Sequence, residues 1–203
     1  WGQLGATHSQ TFENWFASVP GLKVVTPATP RDAKGLLKAA IEDDDPVIFI
    51  EHSLLYGVHG EVPDNDFREQ IGLALVVREG TDVTIAAYSR MLHVSLRAAA
   101  QLEEEGISAE VIDLRTLRPL DMQTVYDSVG KTHRLVVAEE DWRTIGIGAE
   151  IAASVSEACF DQLDAPVRRV PMPDVPMPYA KTLELALVPS EEEVVAAVKS
   201  QLE

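Results

Sequence analysis

Apolar residues in this chain gather into short, almost unbroken runs separated by longer stretches where they recur every three or four positions. The runs at 22–26, 47–50, 83–88 and 135–139 have strand length and do not alternate with polar residues, and 109–114 and 167–171, which carry charged residues, read as further strands. That pattern belongs to strands buried on both faces, as in a parallel sheet. A further run, 73–77, reads as an edge strand. The intervening stretches read as helices. One covers 12–17, with Phe12, Trp15 and Phe16. A second opens at Thr29-Pro30-Arg31-Asp32, where Thr29 caps, Pro30 suits the first helical position and Asp32 meets the positive end of the dipole. In that second helix Ala33, Leu36, Leu37, Ala40 and Ile41 fall at helical spacing and predict one buried face.

Further helices are predicted at 91–105, closed by Gly106 just past its end, at 121–129, and at 149–160 with Ile151, Ala152, Val155 and Cys159 inward. The last opens with the capping box Ser190-Glu191-Glu192-Glu193 and turns Val194, Val195, Val198 and Leu202 inward. Strand, helix and strand in alternation predict an α/β fold, an open and mostly parallel sheet with right-handed crossovers. Residues 58–68 turn polar and read as a linker. Before it, 1–57 supplies two strands and one crossover, which looks like the tail end of a domain begun elsewhere. After it, 69–203 reads as a complete sheet domain.

Composition narrows the partners. Over 203 residues the net charge is −16, which repels nucleic-acid phosphates and anionic lipid and favours a basic protein surface. The single cysteine, Cys159, cannot form an internal bridge and fits a reducing compartment. No run approaches the ~18 apolar residues of a membrane span. These features together predict a soluble, cytoplasmic chain. A start at Trp1 suggests the downstream part of a longer product.

For chemistry, Gly5-Ala6-Thr7-His8-Ser9-Gln10 stands out. An imidazole among small polar residues, just ahead of an aromatic helix, can exchange protons near neutral pH; the alternative is a surface or structural histidine. In open α/β sheets ligands gather at the carboxyl ends of strands, which here carry Ser89-Arg90, Arg115 and Glu139-Glu140-Asp141-Trp142. Gly146-Ile147-Gly148 leads into a helix and allows phosphate binding, but the acidic cluster before it favours a plain tight turn. Five scattered histidines form no zinc pattern. Ala40, Ile41, Asp43 and Asp45 sit where a helix runs out of donors, leaving carbonyl oxygens beside carboxylates. That is either a hard-cation site or a solvated acidic corner.

Several segments carry a family resemblance: Leu4-Gly5-Ala6-Thr7-His8-Ser9-Gln10, Val19-Pro20-Gly21-Leu22-Lys23-Val24-Val25, Gly35-Leu36-Leu37-Lys38-Ala39-Ala40-Ile41, Leu54-Leu55-Tyr56-Gly57 and Asp174-Val175-Pro176-Met177-Pro178-Tyr179-Ala180. Together they resemble the beta subunit of the thiamin-diphosphate-dependent decarboxylating component of 2-oxoacid dehydrogenase complexes, nearest the pyruvate and acetoin branches. The resemblance implies that 1–57 is the remainder of a pyrimidine-binding domain and 69–203 a transketolase C-terminal-like domain. It implies oxidative decarboxylation of a 2-oxoacid, pyruvate first, with reductive acylation of lipoamide. Acetoin and branched-chain 2-oxoacids are alternative substrates.

By the same resemblance His8 is the catalytic histidine facing the thiazolium, and Ala40, Ile41, Asp43 and Asp45 hold a potassium ion, largely through main-chain oxygens. Thiamin diphosphate and its magnesium are shared with an alpha subunit in an α2β2 heterotetramer, and activity requires that subunit and the upstream part. The residues that grip the cofactor's pyrimidine lie upstream of Trp1. The family also implies a second role, as an assembly module docking the peripheral subunit-binding domain of the acyltransferase core.

Overall fold

The structure is a computed structural model that describes residues 2–203. Two sheets organise it. The smaller has the order β2-β1-β6 and is built from Lys23–Val25 (β1), Val47–Phe49 (β2) and Thr116–Arg118 (β6). The larger has the order β3-β5-β4-β7-β8, from Leu75–Arg78 (β3), Val83–Ala87 (β4), Ala109–Asp113 (β5), Leu135–Trp142 (β7) and Arg168–Met172 (β8). Its β5–β4, β4–β7 and β7–β8 pairings are parallel, and β3 runs antiparallel to β5 at the edge.

The unbroken apolar runs are explained by helices on both faces. Arg90–Glu104 (α3) and Glu191–Leu202 (α7) cover one face, where Ile85, Leu92, Leu102, Val194 and Val198 pack together. Met122–Thr132 (α4) and Ile147–Ala158 (α5) cover the other, with Val137, Val125, Ile151 and the thiol of Cys159. Ala17 and Val24 join this second core. Ala17 closes Glu13–Ala17 (α1), so the first part of the chain is packed onto the sheet of the second.

Connections from the adjacent strands β4 and β7 depart to opposite faces, β4 into α3 and β7 into α5. Their carboxyl ends therefore flank the crevice where open sheets place ligands. The turn before α3 is tight: Ser89 has φ +51, in the left-handed region that costs an ordinary residue energy.

Four features differ from the sequence expectation. Helix Pro30–Glu42 (α2) buries Leu36, but Leu37 is 41% exposed and Ile41 74% exposed, so its apolar stripe is covered along one side only. The covered side turns Gly35 onto Phe67 and Glu69, where a Cβ would collide with both. Residues 58–68 lie along α2, with Lys34 Nζ donating to the Asn65 carbonyl at 3.2 Å, Lys38 paired with Asp66, and Arg68 Nε on Glu42 at 2.6 Å. Strand β6 and helix Lys181–Leu187 (α6) are additional elements. Finally, β7 continues through its acidic end to Trp142, which pairs with Met172.

Candidate active site

The Gly5 carbonyl accepts the Ser9 amide at 3.1 Å, and Gly5 itself sits at φ +70. This turn buries Ser9 and leaves His8 exposed. His8 borders an open cleft of about 210 Å³ whose walls include Thr11, Ile50, His52, Ser53 and Ser89, with Glu13 below. The cleft thus lies between the His8 turn, the segment after β2 and the carboxyl end of β4. Thr11 Oγ1 donates to the Glu140 carbonyl at 3.2 Å, and Asn14 Nδ2 donates to the Ile145 carbonyl at 3.2 Å. These two bonds anchor α1 to β7 and the loop after it.

Under the cleft lie four carboxyl groups in different states. Burial alone would raise Glu140, but His52 Nε2 at 3.0 Å and Arg90 Nη1 at 2.6 Å outweigh it and hold the group below the ordinary carboxylate range. Burial raises Glu139 despite Arg169 Nη2 at 2.7 Å and the Gly148 amide at 2.7 Å. Asp141 is pushed up to about 7, first by burial and then by Glu139. Glu13 is pushed up to about 7, chiefly by burial, with Glu140 and Glu139 adding to it, and its Oε2 meets no hydrogen-bond partner. Burial also drives the Tyr88 hydroxyl well above its ordinary value. An imidazole at the rim can accept or donate a proton, and the acids below can store one at neutral pH.

Of the strand-end residues, Ser89, Arg90, Glu139, Glu140 and Asp141 meet at this place. Arg115 does not. It turns to the joint with α2, bonding Asp32 Oδ1 at 3.0 Å, Glu69 Oε2 at 3.4 Å and the Leu73 carbonyl at 3.1 Å. Gly146 and Gly148 serve the helix-opening turn, since the Gly148 amide already binds Glu139 and a Cβ on Gly146 would lie 2.5 Å from the Trp142 carbonyl oxygen. Glu13 and His52 were not among the residues the sequence singles out. In the sequence Glu13 reads as an ordinary acid in a first helical turn, and only the tertiary fold buries it.

At the other end of α2, Ala40 and Ile41 lie in the last turn, and Asp43 caps it in extended conformation. Lys23 Nζ holds Asp43 at 2.6 Å and Asp45 Oδ2 at 3.1 Å, and the Asp45 amide donates to Asp43 Oδ1 at 2.9 Å. A single lysine therefore bridges both carboxylates. Among the described residues no three His, Cys, Asp or Glu side chains converge as a metal cage.

Comparison with known proteins defines the class first. Residues 72–194 match the model of the transketolase C-terminal domain and residues 1–58 that of the transketolase pyrimidine-binding domain. The chain belongs to the transketolase C-terminal domain family, with a pyrimidine-binding segment ahead of it. Within that class, it is 55% identical to the pyruvate dehydrogenase E1 component subunit beta, mitochondrial, of Caenorhabditis elegans, over 98% of this chain and 58% of that protein. It is 54% identical to the pyruvate dehydrogenase E1 component subunit beta-2, mitochondrial, of Oryza sativa subsp. japonica, over 97% of this chain and 53% of that protein. The chain thus spans little more than half the length of these relatives.

A solved structure described as a split gene transketolase, inactive beta4 tetramer, superposes with TM-score 0.81 at 33% identity, covering 97% of this chain and 63% of that one. The beta-subunit resemblance carried by the sequence motifs is the one these relatives show. The cytoplasmic expectation is corrected, because both curated relatives are named mitochondrial. A lone thiol does not say in which compartment the chain resides.

Proposed function

We propose that this chain is the larger part of the beta subunit of a pyruvate dehydrogenase decarboxylating component, with His8 as its proton-transferring residue. The observation that carries this reading is the exposure of His8 on a cleft at the edge of the segment that matches a pyrimidine-binding domain. Thiamin diphosphate, when bound, supplies the carbanion chemistry of decarboxylation. The residues present fit one end of that cofactor. The cleft offers an exposed imidazole, while the buried acids and the engaged Gly148 amide leave no place for a diphosphate. The family resemblance implies that the diphosphate and its magnesium are held by an alpha subunit, in an α2β2 assembly.

His8 moves the proton. An imidazole nitrogen of His8 at the rim would accept or return a proton during transfer of the acyl group to a lipoyl disulfide. The turn closed by the Gly5 carbonyl places His8 at the cleft's rim. Relatives above half identity favour pyruvate over acetoin or a branched-chain 2-oxoacid. In the complete heterotetramer, His8→Ala lowers lipoamide acylation on the order of 10²- to 10⁴-fold, the usual weight of a general acid–base group, with a far smaller change in cofactor affinity. Undiminished acylation removes His8 from the mechanism. A potassium ion at the end of α2 would rest on the main-chain oxygens of Ala40, Ile41, Asp43 and Asp45, since Lys23 already holds the two carboxylates.

The net charge of −16 supports a second, compatible role, docking the basic peripheral subunit-binding domain of the acyltransferase core.

A further inference from the structure

The crevice between β4 and β7 is the ligand-binding position of an open α/β sheet, and in this chain it is filled from within. Helix α1 packs against β1 and β6 beside it, and Thr11 and Asn14 tie this segment to β7 and the loop after it. The Glu13 side chain is buried among Glu139, Glu140 and Asp141 of β7 and Tyr88 at the end of β4. The side chains nearby that could pair with it are committed. Arg90 and His52 bind Glu140, and Arg169 binds Glu139. Glu13 enters this surrounding with Oε2 unpartnered. A carboxylate there would face three other carboxyl groups out of water, an expensive arrangement, whereas a carboxylic acid would not.

We propose that Glu13 is a positioning residue for His8, an uncharged latch that seats α1 in the crevice and lets go of α1, together with the His8 turn, when it loses its proton. The importance of the latch for turnover rests on the reading of His8 above; the latch itself does not. The direction with pH follows from the two states. Released, Glu13 ionises near its ordinary 4.5; seated, near 7. Seating therefore takes up a proton between these values, weakens by up to tenfold per pH unit across that window, and is constant below and above it.

Hydrogen exchange in the full chain tests this without any turnover assay. After correction for the intrinsic chemical rate, amides of residues 11–19 should exchange faster by up to about tenfold per pH unit from pH 5 to 7 and level off above. Glu13→Gln, which keeps the shape and cannot ionise, should make the profile flat. A flat wild-type profile, or an unchanged slope in Glu13→Gln, overturns the latch. A carbon-13 titration of the wild-type Glu13 carboxyl provides an independent check: an inflection near pH 7 supports the proposal and one near 4.5 refutes it. If the latch holds and His8→Ala leaves acylation intact, only the catalytic reading fails.

Discussion

Asp113, at the end of β5, is fully buried; Oδ1 accepts the Arg115 amide at 3.1 Å and Oδ2 has no partner. Burial, and then the nearby Asp32, push its carboxyl up to about 8. In the unfolded chain it ionises near 3.8, so the native state binds the extra proton and its contribution to stability declines from about pH 4 to about pH 8. Asp113→Asn keeps the Oδ1 acceptor and never ionises. The variant's urea midpoint should accordingly gain on the wild type as pH rises through that window; a constant difference would mean that Asp113 does not hold the extra proton. At this scale legibility was uneven. His8 could be picked out because small polar neighbours leave a histidine reachable. Glu13 and Asp113 could not, since their states come from neighbours far away in sequence.

Caps and apolar spacing located most helices. In α2 the Thr29 Oγ1 accepts the Asp32 amide at 3.1 Å, as the residue types at its start require. Spacing alone could not tell which half of a wide apolar stripe the fold covers. Leu36→Ala should cost about 2–5 kcal/mol, the range for an emptied core position. Ile41→Ala should stay within about 0.5 kcal/mol, as at exposed sites. Equal losses in chemical denaturation would mean that Ile41 is covered. Strand β6 escaped notice because three residues carry no periodicity; its pairing comes from β1. The acidic end of β7 was legible as chemistry and missed as strand, because Glu140 and Glu139 are paired with Arg90 and Arg169 rather than left to water.

For the whole molecule, the parallel α/β architecture was legible from the unbroken apolar runs, which only a sheet covered on both faces accommodates. Residues 58–68 stand out in the sequence only as a change to polar residues, while their attachment along α2 depends on ion pairs that no local pattern announces. The overall negative field is a property of the entire surface, so it acts on docking rate more than on any single contact. Binding of the isolated subunit-binding domain should slow markedly between about 50 mM and 500 mM salt as the Debye length contracts. Association indifferent to salt would exclude an electrostatic docking face. Strand β6 leaves the large sheet's sequence to close the small one against β1, and Ala17 and Val24 enter the core of the large one. Melting of either half should then strip contacts from the other, so a thermal scan is expected to show one cooperative transition for both portions.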